Sequence, residues 1–301
     1  MSLRQWSGAA PAKVNLRLVV FGREASGYHR IATVFQLLEL ADRLELEAGE
    51  GDGVELELTG VQRGALGPPE ENLAVRAARA FNGALSARGR RPLGVRIALR
   101  KNVPHGAGLG GGSSDAAAVL RGMSRLSGHP LSGVELMRIG ATLGSDVPFF
   151  VSRASRALGT GRGERILPLE PLPTREVVLA LPAERVSTPW AYGRLARARA
   201  GAERSAREYT PRPPSGCWSG VAADAVNDFE AVLFPLRPDL AEIRGALAAA
   251  GARPALLSGT GSALFGIFGS EAEASAAERD LAGVRAVHQL IRTRTRDPAH
   301  G

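Results

Sequence analysis

The stretch that most constrains this chain is PHGAGLGGGSSDAAAVL, residues 104–120. Five glycines and two serines fall within residues 104–114, and the chain then passes directly into an apolar periodic run. Glycine lets backbone N–H groups approach an anion closely, because no Cβ blocks the ligand or forbids positive φ. Ser113, Ser114 and Asp115 read as the start of a helix with Ala116, Val119, Leu120, Met123 and Leu126 on one face. A helix N-terminus adds unpaired N–H donors and a partial positive charge. Loop and helix together predict a phosphate cradle. A surface linker would not run straight into a capped amphipathic helix.

The rest of the chain bounds the setting. With 301 residues, 44% hydrophobic and 23% charged, it has the composition of a soluble globular protein of one large domain or two smaller ones. No stretch reaches the length of a membrane span, and MSLRQWSGAAPAK lacks the apolar core of a signal peptide. Cys217 is the only cysteine, so no intrachain disulfide forms. The expectation is a cytoplasmic protein with no membrane partner. The net charge of +8 predicts attraction to anions. Acidic residues are interspersed, however, and only 5% of residues are aromatic, which argues against nucleic acid as the partner. The densest basic segment, residues 194–212 with six arginines, reads as a solvated helix face leading into a Pro-rich loop. An anionic small-molecule substrate accounts for the surplus. The sequence leaves monomer or weak dimer open.

Of 38 basic residues only two are lysines, Lys13 and Lys101. Lysine is a compact point charge where arginine is a planar fork, so these two mark positions that call for an ammonium.

Residues 14–21 alternate as a strand, and Asn15 shares a face with Lys13 by the period-two rule. The turn ASGYHR follows. RLELEA (43–48) and VELELT (54–59) alternate about GEGDG and predict a β-hairpin with one solvated face. Residues 70–85 predict an amphipathic helix, and 95–100 a strand that leads to Lys101 and the glycine loop. Ser132 and Glu135 form a capping box for a second helix with Gly144 as its C′ residue. Asp146 comes next, before Pro148 and a short apolar strand. Beyond residue 160 the expected order is a strand at TREVVLALP, an Arg-rich helix, and a helix at DAVNDFEAVL. A helix at DLAEIRGALAAAG, the strand-turn-strand ALLSGTGSALFGIF, helix EAEASAAERDLAG and strand AVHQLIRT complete it. That ending predicts helices on one face of an antiparallel sheet.

Three known phosphate loops can be compared with residues 104–114. A Walker-type loop needs Gly-Lys-Ser/Thr, and here Gly112 runs directly into Ser113. Gly106, Gly108 and Gly111 meet the dinucleotide regex, but Lys-Asn-Val-Pro-His separates them from the preceding strand. The third pattern is Pro104, Gly108-Leu109-Gly110 and Ser113-Ser114. It resembles the GHMP kinase superfamily, and PAKVNL and LSGTGSALFGIF extend that resemblance from about Pro11 to Phe268. PAKVNLRL, GYH and LGSDVPFF point within it to a branch whose acceptor is a cytidine diphosphate-linked sugar alcohol.

The resemblance implies an α+β, two-domain GHMP kinase fold. Its N-terminal α/β domain (1–158) carries a left-over-right mixed sheet and binds ATP. Its C-terminal domain (159–301) has an antiparallel sheet covered by helices, and the active site lies in the cleft between them. ATP and Mg²⁺ are the implied cofactors, with no protein ligand for the metal assigned. Asp146 matches the catalytic aspartate that takes the substrate hydroxyl's proton, and Lys13 the lysine paired with it. Asn72 and Lys101 match positions near the adenosine. Pro104, His105, Gly106, Ala107, Gly108, Leu109, Gly110, Gly111, Gly112, Ser113 and Ser114 match the loop that holds the phosphates. Asn72 also reads as a plain helix N-cap. Asn15 would orient the hydroxyl, Tyr28, His29 and Tyr192 would read the cytosine ring, and Thr188 and Gly259-Thr260-Gly261 would line the phosphate region. Two loop positions depart from the usual pattern. Ala107 and Asp115 replace a Gly and an Asn, and Asp115 would bring a carboxylate close to bound phosphate. A homoserine or mevalonate kinase-like enzyme shares the loop but has no need of the aromatic trio. An RNA-associated protein on the same fold is the alternative of another class.

Overall fold

Two long strands, of 19 and 21 residues, begin the architecture: β1 (Gln5–Arg23) and β2 (His29–Gly49). They are followed by β3 (Val54–Gly60), a 3₁₀ turn at Pro69–Glu71, α1 (Leu73–Ser86), β4 (Gly94–Lys101), α2 (Gly111–Leu126), α3 (Gly133–Leu143) and α4 (Val147–Ser152). Next come β5 (Arg156–Thr160), β6 (Arg165–Pro168), β7 (Glu176–Leu181), α5 (Thr188–Ala198), α6 (Trp218–Asp224), β8 (Val226–Asn227) and α7 (Glu230–Leu233). The last elements are α8 (Pro238–Ala249), β9 (Ala255–Leu257), β10 (Leu264–Phe268), α9 (Glu271–Ala282) and β11 (Gln289–Arg294). The computed structural model describes residues 4–23, 29–60, 67–199 and 214–296. Most of the Arg-rich segment lies outside them. The chain gathers into two compact units that interleave in sequence. Unit 1 holds Met1–Ala12, Leu40–His105 and Gly110–Ala154; unit 2 holds Lys13–Glu39, Gly106–Leu109 and Ser155–Gly301.

In unit 1, β4 is the central strand. It runs antiparallel to the second half of β2, from Arg43↔Arg100 to Gly49↔Gly94, and parallel to β3, from Val54↔Val95 to Gly60↔Lys101. The expected hairpin of residues 43–48 with 54–59 therefore does not form, because β4 lies between its two strands. Both runs alternate as half-buried strands, but alternation encodes a face and not a neighbour. The connection β3–α1–β4 places two parallel strands side by side, the ordinary outcome of a helical crossover. α1 turns Ala74, Val75, Ala77, Ala78, Phe81 and Leu85 inward and packs on α2, which is buried on almost every face. Full burial of Phe81 and Leu85 contributes about 1.5–3 kcal/mol each.

The capping box of Ser132 and Glu135 starts α3 as expected. Gly144 does close this helix, yet its backbone is extended (φ 179°) and not left-handed. The apolar run after Asp146 is the helix α4 and not a strand. Pro148 sits in its first turn, where the missing N–H costs nothing, and a run of five apolar residues has no periodicity to separate the two readings.

Unit 2 is built on the antiparallel sheet β11-β7-β10-β9. α8 and α9 pack against it, and Val178, Ala180, Leu264 and Phe268 meet Leu240, Ile243, Leu247, Ala274, Ala277 and Leu281 in one core. In the same unit β1 pairs parallel with β8 (Arg17↔Val226, Leu18↔Asn227), and β2 pairs antiparallel with β5 from Thr33↔Gly159 to Gln36↔Arg156. The helix expected at 224–233 is replaced by the end of α6, the two-residue strand β8 and the single turn α7.

Candidate active site

Unit 2 carries the first part of the glycine loop and the basic end of β1. The Lys13 ammonium, 3% exposed, donates to Asn15 Oδ1 and to the Gly108 carbonyl, each at 2.7 Å. Its backbone N–H bonds the Leu109 carbonyl at 2.9 Å, so strand and loop are joined at two points. Asn15 passes the chain on to Thr33 Oγ1 (2.7 Å), which donates to the Arg17 carbonyl at 2.8 Å. The expected shared face of Lys13 and Asn15 is what makes this chain possible. Ser258 Oγ also donates to the Gly108 carbonyl, at 2.9 Å. Gly108 sits at φ +78°, and a Cβ there would overlap the Ser258 carbonyl oxygen. Only glycine meets both demands. The departure at Ala107 is accommodated: its methyl is buried and its carbonyl accepts from Ala263 N at 3.0 Å.

The turn 259–261 borders this junction, since a Cβ on Gly259 would stand 3.5 Å from Lys13 Nζ. Thr260 Oγ1 lies 2.9 Å from Thr188 Oγ1, which opens α5. One turn along α5, Tyr192 stacks on His29 with ring centroids 5.2 Å apart and planes at 28°. Tyr28, the other half of the expected base-reading pair, lies outside the described residues. Unit 2 thus brings together Lys13, Asn15, the loop 106–109, Thr188, the turn 259–261, His29 and Tyr192.

Unit 1 carries the second part of the loop. Gly110 is left-handed (φ 73°) and caps α2 without a side chain. The first N–H groups of any helix have no acceptor within it, and Gly110 supplies none, so those of Gly111, Gly112 and Ser113 suit an anion. The helix begins at Gly111, two residues earlier than the serine-led start read from the sequence. Ser113 and Ser114 therefore lie in its first turn, and Ser114 Oγ is a buried hydroxyl with no hydrogen-bond partner in the structure. Pro104 is buried ahead of the loop, whereas His105 and Gly106 are exposed. Asn72 caps α1 by accepting from Ala74 N at 2.9 Å. Asp146 occupies the N-cap position of α4, half-buried, without using its carboxylate as a cap.

The second lysine anchors the loop from below. Lys101 Nζ lies between Asp42 and Asp115, pairing with Asp42 and with Asp115 Oδ2 at 2.7 Å, and all three side chains are buried. Asp42 Oδ1 accepts from the backbone N–H groups of Asn102 (2.6 Å) and Val103 (2.8 Å), the residues that lead into the loop. Burial pulls the Lys101 pKa down, but the two carboxylates outweigh it and the net direction is up. Burial pushes the Asp115 carboxyl up to about 7, against the pull of Lys101 and with the help of Asp42. Asp115 is therefore turned toward Lys101, which answers the repulsion expected from a carboxylate in the phosphate loop. Both lysines serve as compact donors to converging oxygens, a task a guanidinium fork would not fit. Asp42 and Ser258 were not singled out from the sequence.

Each unit carries groups that fit phosphate oxygens: in unit 1 the open N–H groups that begin α2 and the orphan Ser114 hydroxyl, in unit 2 the buried Lys13 ammonium. They offer no preformed metal cage, because among the described residues no three His, Cys, Asp or Glu side chains cluster. Nor is any described helix long and apolar enough to cross a membrane.

The GHMP kinases N terminal domain matches residues 72–153 and the GHMP kinases C terminal domain matches residues 215–284. A 4-diphosphocytidyl-2-C-methyl-D-erythritol kinase of Solibacter usitatus is 43% identical over 262 residues, 86% of this chain and 80% of the relative. The protein of the same name from Citrifermentans bemidjiense is 39% identical, over 92% of this chain and 94% of its own. This chain belongs to the 4-diphosphocytidyl-2-C-methyl-D-erythritol kinase family of GHMP kinases. A crystal structure of a 4-(cytidine 5'-diphospho)-2C-methyl-D-erythritol kinase superposes with a TM-score of 0.75 at 37% identity, covering 97% of this chain and all of that one. Homoserine kinase from Cytophaga hutchinsonii shares the fold at 17% identity with a TM-score of 0.69.

Proposed function

We propose that this chain is an ATP-dependent kinase that phosphorylates the 2-hydroxyl of 4-diphosphocytidyl-2-C-methyl-D-erythritol, in the non-mevalonate route to isoprenoid precursors. The observation that carries this reading is the pairing, within unit 2, of the Lys13–Gly108 junction with the His29–Tyr192 ring stack. The first serves phosphate chemistry, and the second presents a flat aromatic surface suited to a nucleobase. Homoserine and mevalonate carry no such base.

Phosphoryl transfer to an alcohol needs a positioned hydroxyl, a proton acceptor and positive charge around the transferring group. Asp146 accepts the hydroxyl proton in this reading. Lys13 supplies the ammonium beside the transferring phosphoryl, and its bond to Asn15 fixes where that charge sits. The loop 106–114 holds the phosphates through backbone N–H groups, with Ser113 and Ser114 adding hydroxyls. Asn72 lies toward the adenosine end, and Lys101 acts there by holding the base of the loop. Tyr28, by its place in the motif, joins His29 and Tyr192 at the cytosine. Mg²⁺ would accompany the nucleotide and would supply charge neutralisation at the transferring phosphoryl, with no side chain of this chain assigned to it. The kinase domains are proposed to divide near residue 158 and the enzyme to work in the cytoplasm.

The test is ADP release with the diphosphocytidyl substrate, homoserine and mevalonate offered separately. Turnover with the first and background with the others is expected; turnover with homoserine or mevalonate alone would refute the reading.

A further inference from the structure

Residues 226–229, Val-Asn-Asp-Phe, have no part in the chemistry above, yet three of their side chains terminate on it. Asn227, 3% exposed, donates its amide hydrogens to the carbonyls of Leu257 and Gly259, each at 2.8 Å, while its Oδ1 accepts from Phe229 N at 3.0 Å. Two carbonyls and one N–H converge here, and a carboxamide of this length presents the matching two donors and one acceptor. Gly259 opens the turn that borders Lys13, so Asn227 sets the direction of that turn. Asp228 accepts from Val20 N at 2.8 Å and pairs with Arg199 at 2.8 Å. Arg199 also donates to the Val20 carbonyl at 2.6 Å and closes the C-terminal end of α5, the helix that carries Tyr192. Phe229 is fully buried and meets the Tyr192 ring edge-on, centroids 4.9 Å apart at 82°.

We propose that residues 226–229 form a positioning strut shared by both substrates. Asn227 fixes the phosphate turn 259–261, and Phe229, with Asp228 holding α5 through Arg199, fixes the Tyr192 face that receives the cytosine. The inference rests on the kinase reading above. Four consecutive residues in one fixed register then set the spacing between the base platform and the phosphate turn. None of the three touches a substrate; each acts through the residue it holds.

The strut is tested by binding, so that it does not depend on turnover. The full chain is titrated calorimetrically with cytidine diphosphate and with a non-hydrolysable ATP analogue. Asn227→Asp places a carboxylate against two carbonyls and is expected to weaken the ATP analogue about tenfold, leaving cytidine diphosphate within about twofold. Phe229→Leu is expected to do the converse, weakening cytidine diphosphate about tenfold and sparing the analogue. In turnover, Asn227→Asp should lower kcat by about 10²-fold, while Phe229→Leu should raise KM for the cytidyl substrate. Equal weakening of both ligands by each variant, or of neither, overturns the strut even where wild-type turnover stands. A clean split in binding with no turnover by the wild type overturns the kinase reading and leaves the strut. If Asn227→Asp does not fold, Asn227→Ser reads the same quantity. If neither folds, the split shown by Phe229→Leu decides.

Discussion

Asp115→Asn isolates the buried charge cluster beneath the glycine loop. Two carboxylates and one ammonium share a buried site, and Asp115 Oδ1 has no hydrogen-bond partner there. The Asp115 carboxyl is raised from 3.8 to about 7, mainly by burial. A folded-state pKa above the unfolded value means that the folded protein holds the proton more tightly. The associated stability is fully present below pH 3.8 and is lost as pH rises through about 7. At about 1.4 kcal/mol per pH unit inside that window, the wild type loses about 2–3 kcal/mol between pH 5 and 7.5 on this account. Asparagine keeps the shape and cannot ionise, so the variant lacks that slope. Its melting temperature relative to wild type should rise by roughly 5 °C or more across the same interval, taking about 2 °C per kcal/mol for a chain of this size. Paired thermal melts at half-unit steps from pH 5 to 8 read this directly. A difference that stays constant with pH, or a variant that falls behind as pH rises, would refute the reasoning.

Other changes separate the parts of the site. Asp146→Ala should lower kcat by about 10²-fold or more with the fold intact, and near-full activity would move the proton acceptor elsewhere. Gly108→Ala sets a methyl against the Ser258 carbonyl at a left-handed backbone position. It should cost about 2–3 kcal/mol and abolish the rise in melting temperature that ATP gives the wild type. Tyr192→Ala should raise KM for the cytidyl substrate about tenfold in steady-state kinetics, leaving KM for ATP unchanged.

The glycine loop and the helix after it were legible because their glycines and helix start are local features, and the structure moves the helix start by only two residues. The two lysines were legible for a similar reason, being chemical outliers among 36 arginines. Pairing was not. The strands at 43–48 and 54–59 alternate correctly, but nothing local says that a strand forty residues later will come between them. The strand read at 14–21 is the second half of β1, which begins at Gln5; Gly8 and Gly122 are small because the Trp6 ring lies over both. Asp115 was flagged from its place beside the phosphates, while its partner Asp42 sits 73 residues earlier and gave no cue of the pairing. Long-range polar partners of this kind, Asn227 with the 259–261 turn among them, have no periodicity and emerge only when the chain is folded.

The most direct measurement is ³¹P NMR of the product formed from ATP, Mg²⁺ and 4-diphosphocytidyl-2-C-methyl-D-erythritol. One new phosphomonoester on the 2-hydroxyl, an intact cytidine diphosphate and one equivalent of ADP are predicted. Recovery of unchanged substrate with ATP intact, or a phosphate placed on another hydroxyl, would contradict the assignment.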